Sequence, residues 1–272
     1  MAEKDYIAIA RKKVRRPADV DSYRKILVYG RNKKGKTTFS LSAGADKTIV
    51  LDPEFGTDTM KSKNPYVLPV EKWEDLQDYY GALRTGRLSP ASLGQSDSDE
   101  PFEWVSIDGL TRINNMALKY ILKIAEERDL DRRPGQITQR DYGSSGQLMK
   151  QMLNNFHTLP INVCYTAQER MMSGGSGDDD ESDDQAYYVP DLPNAVRGAV
   201  NALVEVIGRI YTTRVDVPLK GGGTKQKLER RLQIGLHEKY DTGYRSDFVL
   251  PELMRNPTLP KLTKLMLTGD EK

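Results

Sequence analysis

Lys36 and Thr37 close the run Gly30-Arg31-Asn32-Lys33-Lys34-Gly35-Lys36-Thr37, in which two glycines, a lysine and a hydroxyl keep the offsets of a phosphate-binding loop. The chemistry explains the spacing. Glycines at positions 30 and 35 let the backbone turn successive N–H groups inward as a nest for phosphate oxygens. A helix starting near Lys36 would aim the positive end of its dipole at the same point. Lys36 would then reach the β- and γ-phosphates of a nucleotide, and the Thr37 hydroxyl would ligate the accompanying magnesium ion. Arg31, Asn32, Lys33, Lys34 and Thr38 complete the candidate nucleotide-binding set, with Lys33 and Lys34 adding positive potential at the mouth.

Phosphoryl transfer also needs a group that holds the metal and one that orients or deprotonates the attacking water. Asp108 ends the apolar run Phe102-Glu103-Trp104-Val105-Ser106-Ile107 and suits the metal-holding carboxylate, although aspartate also ends strands for turn reasons. Glu54 follows Thr48-Ile49-Val50-Leu51-Asp52 and is the candidate base, against a solvated turn glutamate. Gln168, after Ile161-Asn162-Val163-Cys164-Tyr165-Thr166, could sense the γ-phosphate or be an ordinary strand-end amide.

These residues need elements to hold them. Ile26-Leu27-Val28-Tyr29 reads as a buried strand and Thr38-Phe39-Ser40-Leu41 as continuing helix, the context that separates a phosphate loop from a lysine-rich surface turn. Helical spacing of apolar residues predicts helices over 73–83, 110–128 and 147–159, and a stripe of Val196, Val200, Leu203, Val204 and Ile207 predicts one more. Strands over 209–217 and 225–236, joined across Gly221-Gly222-Gly223, read as an antiparallel hairpin. A short strand is expected at Tyr6-Ile7-Ala8-Ile9, and aperiodic, mobile loops at 132–145 and 172–186. The fold class is α/β, a mostly parallel central sheet with helices on both faces and a C-terminal antiparallel extension. It divides into a basic arm (1–22), a core (23–250) and a packed tail (251–272) ending in a short helix. In such sheets ligands bind beyond the carboxyl ends of the strands, where Asp52, Glu54, Asp108 and Gln168 would meet the phosphate loop.

The 272 residues carry a formal charge of only +2, so no global field points to nucleic acid. Charge is unevenly placed nonetheless, with a basic run from Arg11 to Arg16 and an acidic block from Asp178 to Asp184. One cysteine, Cys164, permits no disulfide within the chain and reads as a small core hydrophobe. Neither a membrane-length apolar run nor a signal-peptide core is present, so a soluble, cytoplasmic protein is expected. His157 and His237 stand alone and receive no role.

In order, the segments GRNKKGKTT, VLDPEFG, WVSIDGL and VCYTAQE resemble the core of the RecA-like recombination ATPases. The likeness is greatest to the short RecA-core proteins of bacteriophages, thought to act in single-strand annealing or strand exchange, and it covers about residues 23–260. It implies a RecA-like P-loop core, ATP and Mg2+ as cofactors, single-stranded DNA as partner, and homo-oligomers with ATP sites between subunits. It places the catalytic glutamate on Glu54, the metal-site aspartate on Asp108 and the glutamine coupling nucleotide state to DNA affinity on Gln168. Basic residues completing a neighbour's site fall on Lys239 and Arg245. The acidic second loop departs from the pattern, because it should repel a phosphate backbone. DNA contact then falls to Arg132, Arg133, Arg140, Lys150 and the basic arm, or the acidic block occupies the DNA path until displaced, or no DNA is bound. A small-molecule or nucleotide kinase on the same loop, and a nucleotide-gated scaffold, are the alternatives.

Overall fold

The computed structural model describes residues 6–16, 22–56, 60–172, 186–218 and 223–270. The acidic block 178–184 and the turn glycines Gly221 and Gly222 lie outside them. In chain order the elements are α1 (Tyr6–Lys13), β1 (Lys25–Gly30), α2 (Lys36–Ser40), β2 (Thr48–Asp52), β3 (Tyr66–Pro69), α3 (Trp73–Leu83), β4 (Trp104–Asp108), α4 (Leu110–Arg128) and α5 (Gln139–His157). There follow β5 (Asn162–Met172), β6 (Tyr187–Pro190), α6 (Asn194–Leu203), β7 (Val206–Pro218), β8 (Thr224–Gln233), β9 (Gly243–Tyr244), β10 (Leu253–Arg255) and α7 (Leu259–Thr268).

The sheet runs β10-β8-β7-β1-β5-β4-β2-β3. From β7 to β3 every neighbouring pair is parallel, whereas β8 and β10 join antiparallel at the other edge. β1 lies inside, between β5 and β7, and all six of its residues are buried. Its pleat sends Leu27 and Tyr29 into one core and Ile26 and Val28 into the other. The first core is closed by α3, α4, α5 and α6, and the second by Phe39 of α2, by β8 and by α7. The tail is therefore structural on both counts. β10 extends the sheet, and Leu259, Leu262, Leu265 and Met266 fill the second core. Cys164 is fully buried there.

Several local expectations are corrected. Residues 6–13 form a helix, not a strand. Helix α5 starts at Gln139, so the aperiodic loop expected over 132–145 contains about two helical turns despite Gly143. An ion pair at its start explains this. Asp141 accepts from the Thr138 N–H and hydroxyl, both at 2.7 Å, and from the Arg132 guanidinium, which also donates to the Gln136 carbonyl. The stripe expected to run through Ile207 stops at Leu203, because Val206 to Arg209 pair with Ile26 to Tyr29 of β1. Met171 and Met172 belong to β5, which continues past the parallel sheet to pair with β6. Among the described residues no helix is long and apolar enough to cross a membrane.

Candidate functional site

The phosphate loop leaves β1 at Gly30 and enters α2 at Lys36, a helix of only five residues. Its two glycines serve different needs. Gly35 sits at φ 96°, a left-handed conformation that L side chains rarely adopt. Gly30 does not turn the chain; it lets β7 come close, since a Cβ there would lie 2.3 Å from the Ile210 carbonyl oxygen. Lys33 also has positive φ, 63°.

Beyond the loop lies a cavity of about 390 Å³, lined by Lys36, Thr37, Asp52, Glu54, Asp108 and Gln168 among others. That volume lies within the range of small-molecule sites. Asn32, Lys33, Thr111 and Thr166 share the wall. Register explains the convergence: Gly30, Gln168, Thr166 and Asp108 follow one another across β1, β5 and β4 at their carboxyl ends. The Lys36 ammonium donates to the Gly30 and Arg31 carbonyls at 3.0 and 3.2 Å. Burial lowers its pKa, while Asp108, Glu54 and Glu169 oppose that shift. Glu54 is exposed as a residue, yet partial desolvation of its carboxyl raises the pKa, and the neighbouring Asp108 raises it further against the pull of Lys36. Asp108 accepts a hydrogen bond from the Thr166 hydroxyl. The Gln168 backbone N–H donates to Thr111 Oγ1 at 3.1 Å, and both residues line the cavity.

Among the described residues, no group of three His, Cys, Asp or Glu side chains could by itself hold a metal ion. The donors here are a threonine hydroxyl and an aspartate that line the same cavity. Magnesium takes such a set when phosphate oxygens and water complete its octahedron.

Residues 22–246 match the family model of an AAA domain. The chain belongs to that family. No curated protein matches it. As an AAA domain it is a nucleotide-binding protein of the P-loop ATPase type, and the loop, the mostly parallel sheet and the flanking helices agree with that class.

Other predicted residues sit apart from the cavity. Arg132 is held internally by Asp141, its side chain only 13% exposed, whereas Arg133 and Arg140 are exposed and Lys150 half-buried on α5. Arg245 is exposed at the opposite end of the sheet, where its N–H donates to the Glu205 carbonyl and its guanidinium to that of Ala202. Lys239 is exposed near the loop side, its carbonyl accepting from the Tyr188 N–H.

Residues not nominated from the sequence also meet beside the loop of this AAA domain. Glu169, beside Gln168 and 2% exposed at its side chain, accepts from Arg31 of the loop at 3.2 Å and from Arg209 of β7 at 2.5 Å. The Arg209 guanidinium in turn lies over the rings of Tyr188, Tyr211 and Tyr240, at 4.2 Å for the last. No spacing rule joins Arg31 to Glu169. Thr166 could have been found as a hydroxyl at a strand end, but only the β4–β5 register puts it against Asp108.

Proposed function

We propose that this AAA domain binds ATP with magnesium and hydrolyses it, with Glu54 as the base. The observation that carries the reading is the single cavity onto which Lys36, Thr37, Glu54, Asp108 and Gln168 all face. Lys36 now spends its protons on loop carbonyls, an arrangement that γ-phosphate oxygens would replace with a stronger, charge-assisted one. Thr37 would ligate the magnesium ion and Asp108 would hold it through water, with Thr166 fixing the Asp108 carboxylate. The ion would supply charge neutralisation on the transferring phosphoryl group. Glu54, whose raised pKa makes it a better proton acceptor than an ordinary glutamate, takes the proton of the attacking water. The new bond joins that water oxygen to the γ-phosphorus, and the bond to the bridging oxygen breaks, with ADP leaving.

The same proposal extends to single-stranded DNA, in annealing or strand exchange of the bacteriophage type, by homo-oligomers with Lys239 or Arg245 reaching a neighbour's site. The support is the motif resemblance together with one placement: β5 carries Gln168 on the cavity wall and runs on to Met172. Arg133, Arg140 and Lys150 supply basic side chains on and before α5, while Arg132 is engaged with Asp141.

The test is ATP turnover with and without single-stranded DNA for the parent, Lys36→Ala and Glu54→Gln. Lys36→Ala should lose nucleotide affinity. Glu54→Gln should bind ATP and lose turnover by about 10²-fold or more. Equal turnover in all three would overturn the site, and turnover indifferent to DNA would remove the recombination reading. Phosphate appearing on an added hydroxyl acceptor would favour a kinase.

A further inference from the structure

The γ-phosphate end of the proposed site is fixed by Glu54, Asp108 and Gln168, which lie on the β5, β4 and β2 side of β1. A nucleotide gripped at the loop with its γ-phosphate there would extend its base and ribose away from those residues, and on that side β7 is the neighbour of β1 and β8 follows. There the hairpin overhangs the loop. Thr212 and Arg230 face each other across its two strands, two positions along from the core pair Ile210 and Leu232 and so on the same face. Lys34 donates to Thr212 Oγ1 at 3.2 Å, pinning the loop to the hairpin. The Arg230 stem lies directly over Gly35, its Cδ 2.7 Å and its Nε 3.6 Å from where a Cβ would stand.

Arg230 differs from its basic neighbours. Arg231 is paired with Glu229 and Arg209 with Glu169, whereas among the described residues the Arg230 side chain has no hydrogen-bond or ion-pair partner and is exposed. A planar cation without a partner thus stands over the loop on the side away from Glu54, Asp108 and Gln168.

Resting on the nucleotide-site reading above, we propose that Arg230 is a base-binding residue whose guanidinium stacks flat on the purine of the bound nucleotide. A guanidinium plane stacks on an aromatic face and an ammonium does not, so the residue type is part of the inference. The glycine at 35 gains a second reason, because any side chain there would push the arginine stem off the loop.

The experiment titrates the full chain, with magnesium, against ATP, ADP and inorganic tripolyphosphate, for the parent, Arg230→Ala and Arg230→Lys. Thermal melts check that both exposed-site variants stay folded. The expected result is that Arg230→Ala weakens ATP and ADP roughly three- to thirtyfold, the span of a desolvated cation–ring contact, and leaves tripolyphosphate unchanged. Arg230→Lys should recover little of the loss. An equal loss for tripolyphosphate would make Arg230 a phosphate ligand and overturn the stacking proposal, as would unchanged ATP binding or full recovery with lysine. A parent that binds neither ATP nor tripolyphosphate would instead bring down the nucleotide site itself.

Discussion

The Thr166 hydroxyl donates to the Asp108 carboxylate across the β4–β5 register, so the residue proposed to hold the metal is oriented by the neighbouring strand and not by its own turn. Gly109 follows Asp108 and packs so tightly that a Cβ there would lie 2.8 Å from the same hydroxyl. An aspartate that merely ended a strand would need neither contact.

Thr166→Val keeps the β-branched shape and removes the donor. Turnover is expected to fall about 10- to 100-fold while Lys36-dependent ATP binding persists, the pattern of a group that orients a metal ligand. Steady-state ATPase assays beside equilibrium ATP binding check it, and unchanged turnover would show that Asp108 needs no such partner.

Gly30→Ala should destabilise the fold without touching any catalytic side chain. Its Cβ would meet the Ile210 carbonyl at 2.3 Å, a backbone atom of β7 held in the antiparallel β7–β8 ladder, which cannot rotate away. The expected cost is on the order of 1–3 kcal/mol by urea denaturation. A loss of ATP affinity with full stability would mean that the glycine serves the loop conformation instead.

As the proposed base, Glu54 should make activity and stability respond to pH in opposite senses. Its pKa is raised above the ordinary 4.5 by burial and by Asp108, so the folded state holds this proton when the unfolded chain has released it. Its ionisation therefore costs no stability below 4.5 and a small, solvent-screened penalty above the raised value, because the residue is exposed, whereas the proposed base must be ionised. Turnover should fall on acidification through a limb lying above 4.5. Glu54→Gln should melt higher than the parent at pH 7, with the gain fading towards pH 4. A variant no more stable than the parent at neutral pH would refute this.

Lys25 supplies a second pH signature, at the far end of β1. Its ammonium donates to the Leu159 and Ile161 carbonyls at 3.0 and 2.5 Å, and burial lowers its pKa to about 8 against the opposing pull of Glu205. The unfolded chain keeps that proton up to the ordinary 10.5, so between about 8 and 10.5 the unfolded state binds more protons and this group makes stability rise with pH. Buried Tyr29 and Tyr165, with raised pKa values, work in the other direction at still higher pH, so the comparison must be differential. The parent should gain on Lys25→Met in melting temperature between roughly pH 7.5 and 9.5. Parallel curves would sink the assignment.

Local patterns made much of this protein legible beforehand. The helices 73–83 and 110–128 agree with the observed bounds, because the spacing of their apolar residues repeats within a turn or two. Lys36, Glu54, Asp108 and Gln168 could be nominated because each follows an apolar run in a chain that alternates strands with helices. The start of α5 was hidden: glycines and serines argue against a helix there, and the Arg132–Asp141 pair that begins it is invisible to periodicity.

What the chain determined by itself is the chemistry within reach of one short segment: a loop of the phosphate-binding pattern, because eight consecutive residues carry the glycines, the lysine and the hydroxyl at fixed offsets. Only the folded sheet decided the rest. It set β1 between β5 and β7, put Thr166 on Asp108 across 58 residues and Arg31 on Glu169 across 138, and laid Arg230 over Gly35. Strand order and register are long-range properties, set by which buried faces close the two cores together, and no window of neighbouring residues contains them.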